Sequence, residues 1–117
     1  MADYDLDAER AAREWLALAD VADAAGTWGA AASLFRDAVP EEEWARSLRA
    51  ARAPLGPVVA RTLRTVRAVS ELPGAPDGQY VVLEFDTQFE RKRAAVETVT
   101  PMRDRDGAWR VSGYYIR

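Results

Sequence analysis

Three strand-like segments follow one another in the last third of the chain and constrain its fold more than any other feature. They are YVVLEFDTQF at residues 80–89, AAVETVTPM at residues 94–102 and AWRVSGYYI at residues 108–116. The polar turn sequences ERKR and DRDG separate them, and each is short enough to close a hairpin. Because strands joined by hairpins pair antiparallel, the sequence predicts an antiparallel sheet at the centre of the molecule.

The remaining elements predict helices laid on that sheet. A fourth strand with a bulge is predicted within residues 58–72, where β-branched residues accumulate. Three helices are predicted before it, at residues 6–25, at residues 28–38 and from Pro40 onward, because apolar residues recur there every three or four positions. Gly26 is expected to end the first helix. The fold class is therefore α+β, with three N-terminal helices packed on a curved four-stranded antiparallel sheet.

The length of 117 residues predicts one domain over residues 1–117. Its helical half is predicted at residues 6–53 and its sheet half at residues 58–117. The sequence PLGP at residues 54–57 marks the joint between the two halves.

Alternation along the strands predicts which side chains share a face of the sheet. The face under the helices is predicted to carry Val81, Leu83, Phe85, Thr87, Phe89, Val96, Thr98, Thr100, Met102, Trp109, Val111, Gly113 and Tyr115. The opposite face is predicted to carry Glu84, Asp86, Glu97, Arg110, Ser112 and Tyr114, together with Val82, Val99 and Ile116. Because this second face is only half polar, we expect it to pair around Tyr114 in a homodimer.

Composition excludes several kinds of chemistry. The chain has no Cys and no His, which excludes thiol nucleophiles, imidazole bases and the usual zinc sites. The net charge of -3 does not predict nucleic-acid binding. No loop of alternating acidic ligands predicts a metal site, no cofactor is predicted, and no apolar run predicts a membrane span. As written the chain reads as cytoplasmic; it would be periplasmic or secreted if an export signal had been removed.

The strand region also carries a family resemblance. The sequences APLGPVVARTL, DGQYVVLEFDTQFERKRAAVETVTPM and DGAWRVSGYYI resemble a bacterial family, domain of unknown function 4019, over residues 8–117. The order of helices and strands is similar to the cystatin-like, cone-shaped group that includes nuclear transport factor 2 and ketosteroid isomerase. The resemblance implies helices on a curved sheet and export signals in many relatives, and it implies no activity.

One candidate site is acidic. Glu84, Asp86 and Glu97 are predicted to lie close together, and crowding can raise the pKa of one carboxyl enough to make a general base. Tyr80 or Tyr114 would then be the hydrogen-bond donor, by analogy with ketosteroid isomerase. The bland alternative is favoured, in which these carboxylates pair across strands with arginines.

A second candidate site is apolar. Trp28, Phe35 and Trp44 could line a ligand pocket between helices and sheet, with Arg61 facing an anionic group. Core packing, and an arginine that is solvated or locally paired, are the favoured alternatives. The sequence thus predicts a non-catalytic module that binds a small apolar or amphipathic ligand or a protein partner. The alternative functions are an isomerase- or dehydratase-like enzyme and a structural role in the cell envelope.

Overall fold

The computed structural model describes residues 3–117 as helices packed on one face of a four-stranded antiparallel sheet, which confirms the predicted α+β class. The helices are α1 Asp3–Asp20, α2 Ala24–Gly29, α3 Ser33–Ala38 and α4 Glu41–Arg52, followed by the 3-10 turn Ala53–Leu55. The strands are β1 Val58–Val69, β2 Tyr80–Phe89, β3 Lys92–Arg103 and β4 Trp109–Ile116. They lie in the order β1-β2-β3-β4, so each strand pairs with the next and the sheet is open. The first two residues of the predicted domain over residues 1–117 lie outside the described residues.

The helical region contains four α-helices where the sequence predicted three. The first helix ends at Asp20, before Gly26, because Ala22 takes a left-handed φ of 59° and Asp23 follows it. The Asp23 carboxylate accepts the Gly26 backbone N–H at 2.9 Å and so begins α2. The prediction that Gly26 ends a helix was therefore wrong, since a strong N-cap residue lies three positions before it.

The predicted second helix is divided into α2 and α3 by an extended segment. Ala31 bridges in parallel to Val111 of β4, and the Ala32 N–H donates to the Val111 carbonyl at 2.8 Å. The third predicted helix is confirmed as α4, which begins after Pro40 with three consecutive glutamates. Its inner side buries Trp44 and Leu48.

The predicted inner face of β2 is correct, and that of β3 is wrong. The five alternate β2 side chains from Val81 to Phe89 are all buried. Phe85, however, lies opposite Glu97, and Leu83 lies opposite Val99. The inner face of β3 therefore carries Glu97 and Val99, and Val96, Thr98, Thr100 and Met102 belong to the outer face. The physical reason is a one-residue slip at the hairpin, since a shift of one position exchanges the two faces of a strand.

A bulge changes the face of β4 midway along the strand. Pro101 pairs with Val111, whereas Val99 pairs with Tyr114, so β4 contains one extra residue between these pairs. Val111 lies on the inner face as predicted, and beyond the bulge Tyr114 points inward while Tyr115 is 60% exposed. The predicted positions of Tyr114, Tyr115 and Ile116 are therefore reversed. The homodimer prediction loses the Tyr114 surface on which it was based.

The core lies between the inner face and α1, α2 and α4. Small residues of α1, Ala8, Ala12 and Ala19, are buried against the sheet together with Leu16. Burial of each large apolar side chain in such a core contributes about 1.5–3 kcal/mol. Within residues 3–117 none of the helices has the length and apolar character needed to cross a membrane.

Candidate functional site

Charged side chains collect between the helices and the sheet where α1 and α4 end. Asp20 is the last residue of α1 and Arg52 is the last residue of α4, while Arg61 lies on β1 opposite Thr87 of β2. We refer to this group as the ion cluster. Its members are Asp20, Arg52, Arg61, Thr87, Glu97 and Tyr114.

Glu97 is the centre of the ion cluster and has no exposed surface. Its Oε1 accepts hydrogen bonds from Arg61 Nε at 2.7 Å and from the Thr87 hydroxyl at 2.6 Å. Its Oε2 accepts from Arg61 Nη2 at 3.2 Å and from the Tyr114 hydroxyl at 2.5 Å. Each carboxylate oxygen therefore accepts from two donors, and Arg61 donates to both oxygens.

Asp20 supplies the second negative charge of the cluster. It accepts two hydrogen bonds from Arg61, both at 2.9 Å, and one from Arg52 Nη2 at 2.8 Å. Burial alone would raise the pKa of Asp20, but the bonds from Arg61 and Arg52 outweigh it and lower that pKa. Two carboxylates and two guanidinium groups thus form a neutral group.

The pKa values of two other side chains of the cluster are shifted in the direction that favours their usual protonated forms. Burial alone would lower the pKa of Arg61, but its bonds to Asp20 and Glu97 outweigh that effect and raise the pKa. Burial first, and then the charge of Glu97, raise the pKa of Tyr114 well above its usual range. Tyr114 therefore remains a neutral donor to Glu97.

The predicted group of three carboxylates is not brought together. Glu84 and Asp86 lie on the outer face, opposite in direction to Glu97, because of the β3 register. Glu84 accepts from the Thr65 hydroxyl at 2.9 Å and from Arg117 at 3.1 Å, and these bonds lower its pKa.

The other predicted acid–base residues have structural partners as well. Asp86 forms an exposed ion pair with Arg64 at 3.5 Å. The Tyr80 hydroxyl donates to the Pro76 carbonyl at 2.6 Å, which attaches the side chain to its own loop. Among the described side chains, no group of three or more His, Cys, Asp or Glu could hold a metal ion.

The predicted aromatic pocket is filled by its own side chains. Trp28 donates its ring N–H to the Val39 carbonyl at 2.8 Å, and Trp44 donates to the Thr27 hydroxyl at 2.9 Å. Phe35 packs edge-on against Trp44 with ring centres 5.2 Å apart. The space that remains beside these two rings is a crevice too narrow to admit a water molecule. Thr27 is fully buried and its hydroxyl accepts from Trp44, and nothing in the sequence indicated this contact.

An open groove of about 400 Å³ lies on the other side of Trp44, between α4 and β4. We call it the α4–β4 groove. Of the described residues that line it, two are cationic and none is acidic. They are Trp44, Ser47, Leu48, Ala51, Leu55, Lys92, Tyr114, Tyr115, Ile116 and Arg117.

The groove was not predicted from the sequence, although the α4 residues that line it form a visible helical pattern. Trp44, Ser47, Leu48 and Ala51 have the three- and four-residue spacing of one helical face. The β4 side of the groove could not be predicted from the sequence, because the bulge places Tyr114 on the inner face of the sheet. Tyr114 consequently belongs to both the ion cluster and the groove.

Comparison with known proteins identifies a family and no function. Residues 11–114 match the family described as protein of unknown function, DUF4019, and the chain belongs to this family. The matched span contains the ion cluster and most of the groove. A comparison with curated proteins gave no match, and a comparison with solved structures gave none either.

Proposed function

We propose that this DUF4019 protein is a non-catalytic binding module that holds an apolar or amphipathic ligand, or a segment of a partner protein, in the α4–β4 groove. The observation that carries the proposal is an open, largely apolar groove with cationic and no acidic lining residues. Apolar walls with a few placed polar groups are typical of ligand sites.

The burial of the candidate base Glu97 favours binding over catalysis at the groove. Glu97 is the inward-facing carboxylate that was considered as a base, and its two oxygens already accept four hydrogen bonds. A general base must reach the substrate proton within hydrogen-bond distance, and Glu97 has no exposed surface. The enzyme alternative therefore has no supporting observation.

Lys92 gives the groove its chemical preference. It is the single lysine of the chain, and it lies at the start of β3, beside Leu55 and Ile116 in the groove wall. Its ammonium group has no ion pair or hydrogen bond to any side chain within residues 6–117, whose side chains the structure describes. An amphipathic anion could bury its apolar part against Leu48 and Ile116 and place its charge at Lys92.

Decanoate, a ten-carbon carboxylate, is a suitable probe for this proposal. Reductive ¹³C-methylation labels Lys92 and keeps its charge, so that apart from the amino terminus one side-chain NMR signal reports on the groove. We expect decanoate to shift this signal and the backbone amide signals of Ser47, Ala51 and Ile116. Decanol should bind more weakly, because it has no charge to place at Lys92.

A matched pair of variants tests the location. Ala51→Glu introduces bulk and negative charge into the groove wall and should weaken decanoate binding by about tenfold, or about 1.4 kcal/mol. Ala50→Glu makes the same change at a neighbouring exposed position of α4 outside the groove and should leave binding unchanged. Shifts confined to residues outside the groove, or an equal effect of both variants, would refute the proposed function.

A further inference from the structure

We infer that the α4–β4 groove receives an extended acidic segment of a partner protein, which adds to the free edge of β4 as a fifth strand. This inference depends on the proposed function and specifies its partner. It rests on three observations, which are the direction of the β4 backbone groups, the partial cover of that edge and the charge of the groove.

The backbone of β4 presents unpaired groups to the groove. β4 is an edge strand, and Arg117 exchanges both of its backbone hydrogen bonds with Val96 of β3, at 2.9 and 3.0 Å. Because the direction of backbone groups alternates along a strand, the N–H and C=O of Ile116 and Tyr114 point away from β3. The last three residues of β4, from Tyr114 to Ile116, and the following Arg117 line the groove, as expected of a strand edge.

The same edge is already covered at its other end. Ala31 bridges in parallel to Val111, and the Ala32 N–H donates to the Val111 carbonyl at 2.8 Å. No such cover exists beside Tyr114 and Ile116 in the part of the chain that the structure describes. Proteins usually cover or charge an exposed edge, because it can pair with another chain. The uncovered stretch of about four residues, about 13 Å long, suits a short extended segment.

Charge selects the class of partner. Lys92 and Arg117 are the charged residues of the groove wall; Arg117 pairs with Glu84 outside the groove at 3.1 Å, whereas Lys92 has no acidic partner among the described side chains. A second copy of this chain paired at the same edge would bring its own Lys92 to the interface. Like charges in such positions oppose pairing, whereas an acidic segment complements them. Main-chain pairing would supply affinity, and apolar side chains at alternate positions would enter the groove.

The test uses a capped eight-residue peptide of alternating Val and Glu and its Val and Lys counterpart. Two further peptides carry backbone N-methyl groups, either at the Val residues or at the Glu residues. Strand addition uses only every second peptide N–H, so one N-methylated peptide should lose about tenfold or more in affinity while the other stays within about twofold of the parent. Affinities are read from the ¹³C-methyl signal of Lys92 and from the Tyr114 and Ile116 amides.

Amide hydrogen exchange separates the possible results. Slower exchange at Tyr114 and Ile116 with the acidic peptide, but not with the Lys peptide, is the expected result, and Ala51→Glu should abolish it while Ala50→Glu should not. Equal binding of both N-methylated peptides would overturn strand addition and leave groove binding intact. Equal binding of the Lys peptide would overturn the acidic specificity. A dimer by sedimentation, protected at Ile116 without peptide, would show that a second copy is the occupant.

Discussion

Replacement of Glu97 by Gln tests whether the ion cluster stabilises the fold. The change keeps the shape of the side chain and removes its charge. Arg61 then retains one anionic partner, Asp20, whose side chain is 27% exposed. An amide nitrogen would also replace one of the oxygens that Arg61 now contacts at 2.7 and 3.2 Å. Arg61 has no acceptor to offer that nitrogen, so donor faces donor.

The expected loss of stability is large for a single isosteric substitution. Removing one partner of a buried ion pair costs about 3–5 kcal/mol, because the other charge is left in a poorly solvated place. The hydroxyl groups of Thr87 and Tyr114 can rotate to accept from the new amide, which recovers about 1 kcal/mol. We therefore expect a loss of about 3 kcal/mol in the free energy of unfolding. For a chain of this length this corresponds to a Tm about 12 °C lower.

Thermal and urea unfolding followed by circular dichroism at neutral pH measure this loss. Glu90→Gln is the matched control, because Glu90 lies exposed in the β2–β3 turn and its removal should leave the midpoint unchanged. A loss below about 1 kcal/mol for Glu97→Gln, with a native spectrum, would refute the reasoning. It would mean that Arg61 is adequately compensated without Glu97.

Other charges lead to further predictions. Asp104 accepts hydrogen bonds from the backbone N–H of Ser33 at 3.0 Å and from the Ser33 hydroxyl at 2.6 Å, where α3 begins. Asp104→Ala should therefore lower the free energy of unfolding, measured with urea, by about 2 kcal/mol. A loss under about 0.5 kcal/mol would contradict this. The folded-state pKa of Asp20 is lowered, so the contribution of Asp20 to stability is present above about pH 4 and is lost as the pH falls. In urea unfolding measured at a series of pH values, Asp20→Asn should therefore reduce the loss of stability on the acid side. The folded-state pKa of Tyr114 is raised, so the contribution of Tyr114 to stability is present below about pH 10 and is lost as the pH rises further. Tyr114 should therefore not ionise before the protein unfolds, and in an alkaline titration Tyr114→Phe should give the same phenolate absorbance as the parent up to unfolding. An absorbance lower by one tyrosine in the variant before unfolding would contradict this.

Some of the fold could be predicted because local sequence determines it. The two faces of β2 differ at every position from Val81 to Phe89, so alternation alone identified the buried side. Likewise Pro40 and the glutamates after it define the start of α4 without help from the rest of the chain. In both segments the local preference and the tertiary environment agree.

The β3 register could not be predicted because contacts distant in sequence fix it. At the β2–β3 turn, the Glu90 N–H donates to the Pro57 carbonyl at 2.9 Å and the Arg91 N–H donates to the Leu55 carbonyl at 2.8 Å. The Arg91 side chain also donates to the Ala53 and Pro54 carbonyls, both at 3.1 Å. These bonds join the turn to the end of the helical region. They fix a tighter hairpin than ERKR suggests, and Glu97 moves inward as a result.

The acidic candidate site depended on this register, so its interpretation changed with the position of one residue. Glu97 was grouped with Glu84 by alternation, but it is buried with Arg61. The sequence contained all the charged groups of the cluster, and Asp20, Arg52 and Arg61 had no spacing that linked them. Only the packing of α1, α4 and β1 brings them together.

Tyr114 joins the ion cluster to the groove and, in the proposed function, gives the buried charges a role in binding. Its hydroxyl is held by Glu97 at 2.5 Å and its ring packs on Trp15 with centres 5.0 Å apart. Both contacts fix the β4 backbone at the position where its N–H and C=O face the groove. A strand edge that is already ordered loses less entropy when a segment pairs with it. In the proposed function, the buried side chains of the ion cluster therefore hold the β4 edge in place for the segment that pairs with it.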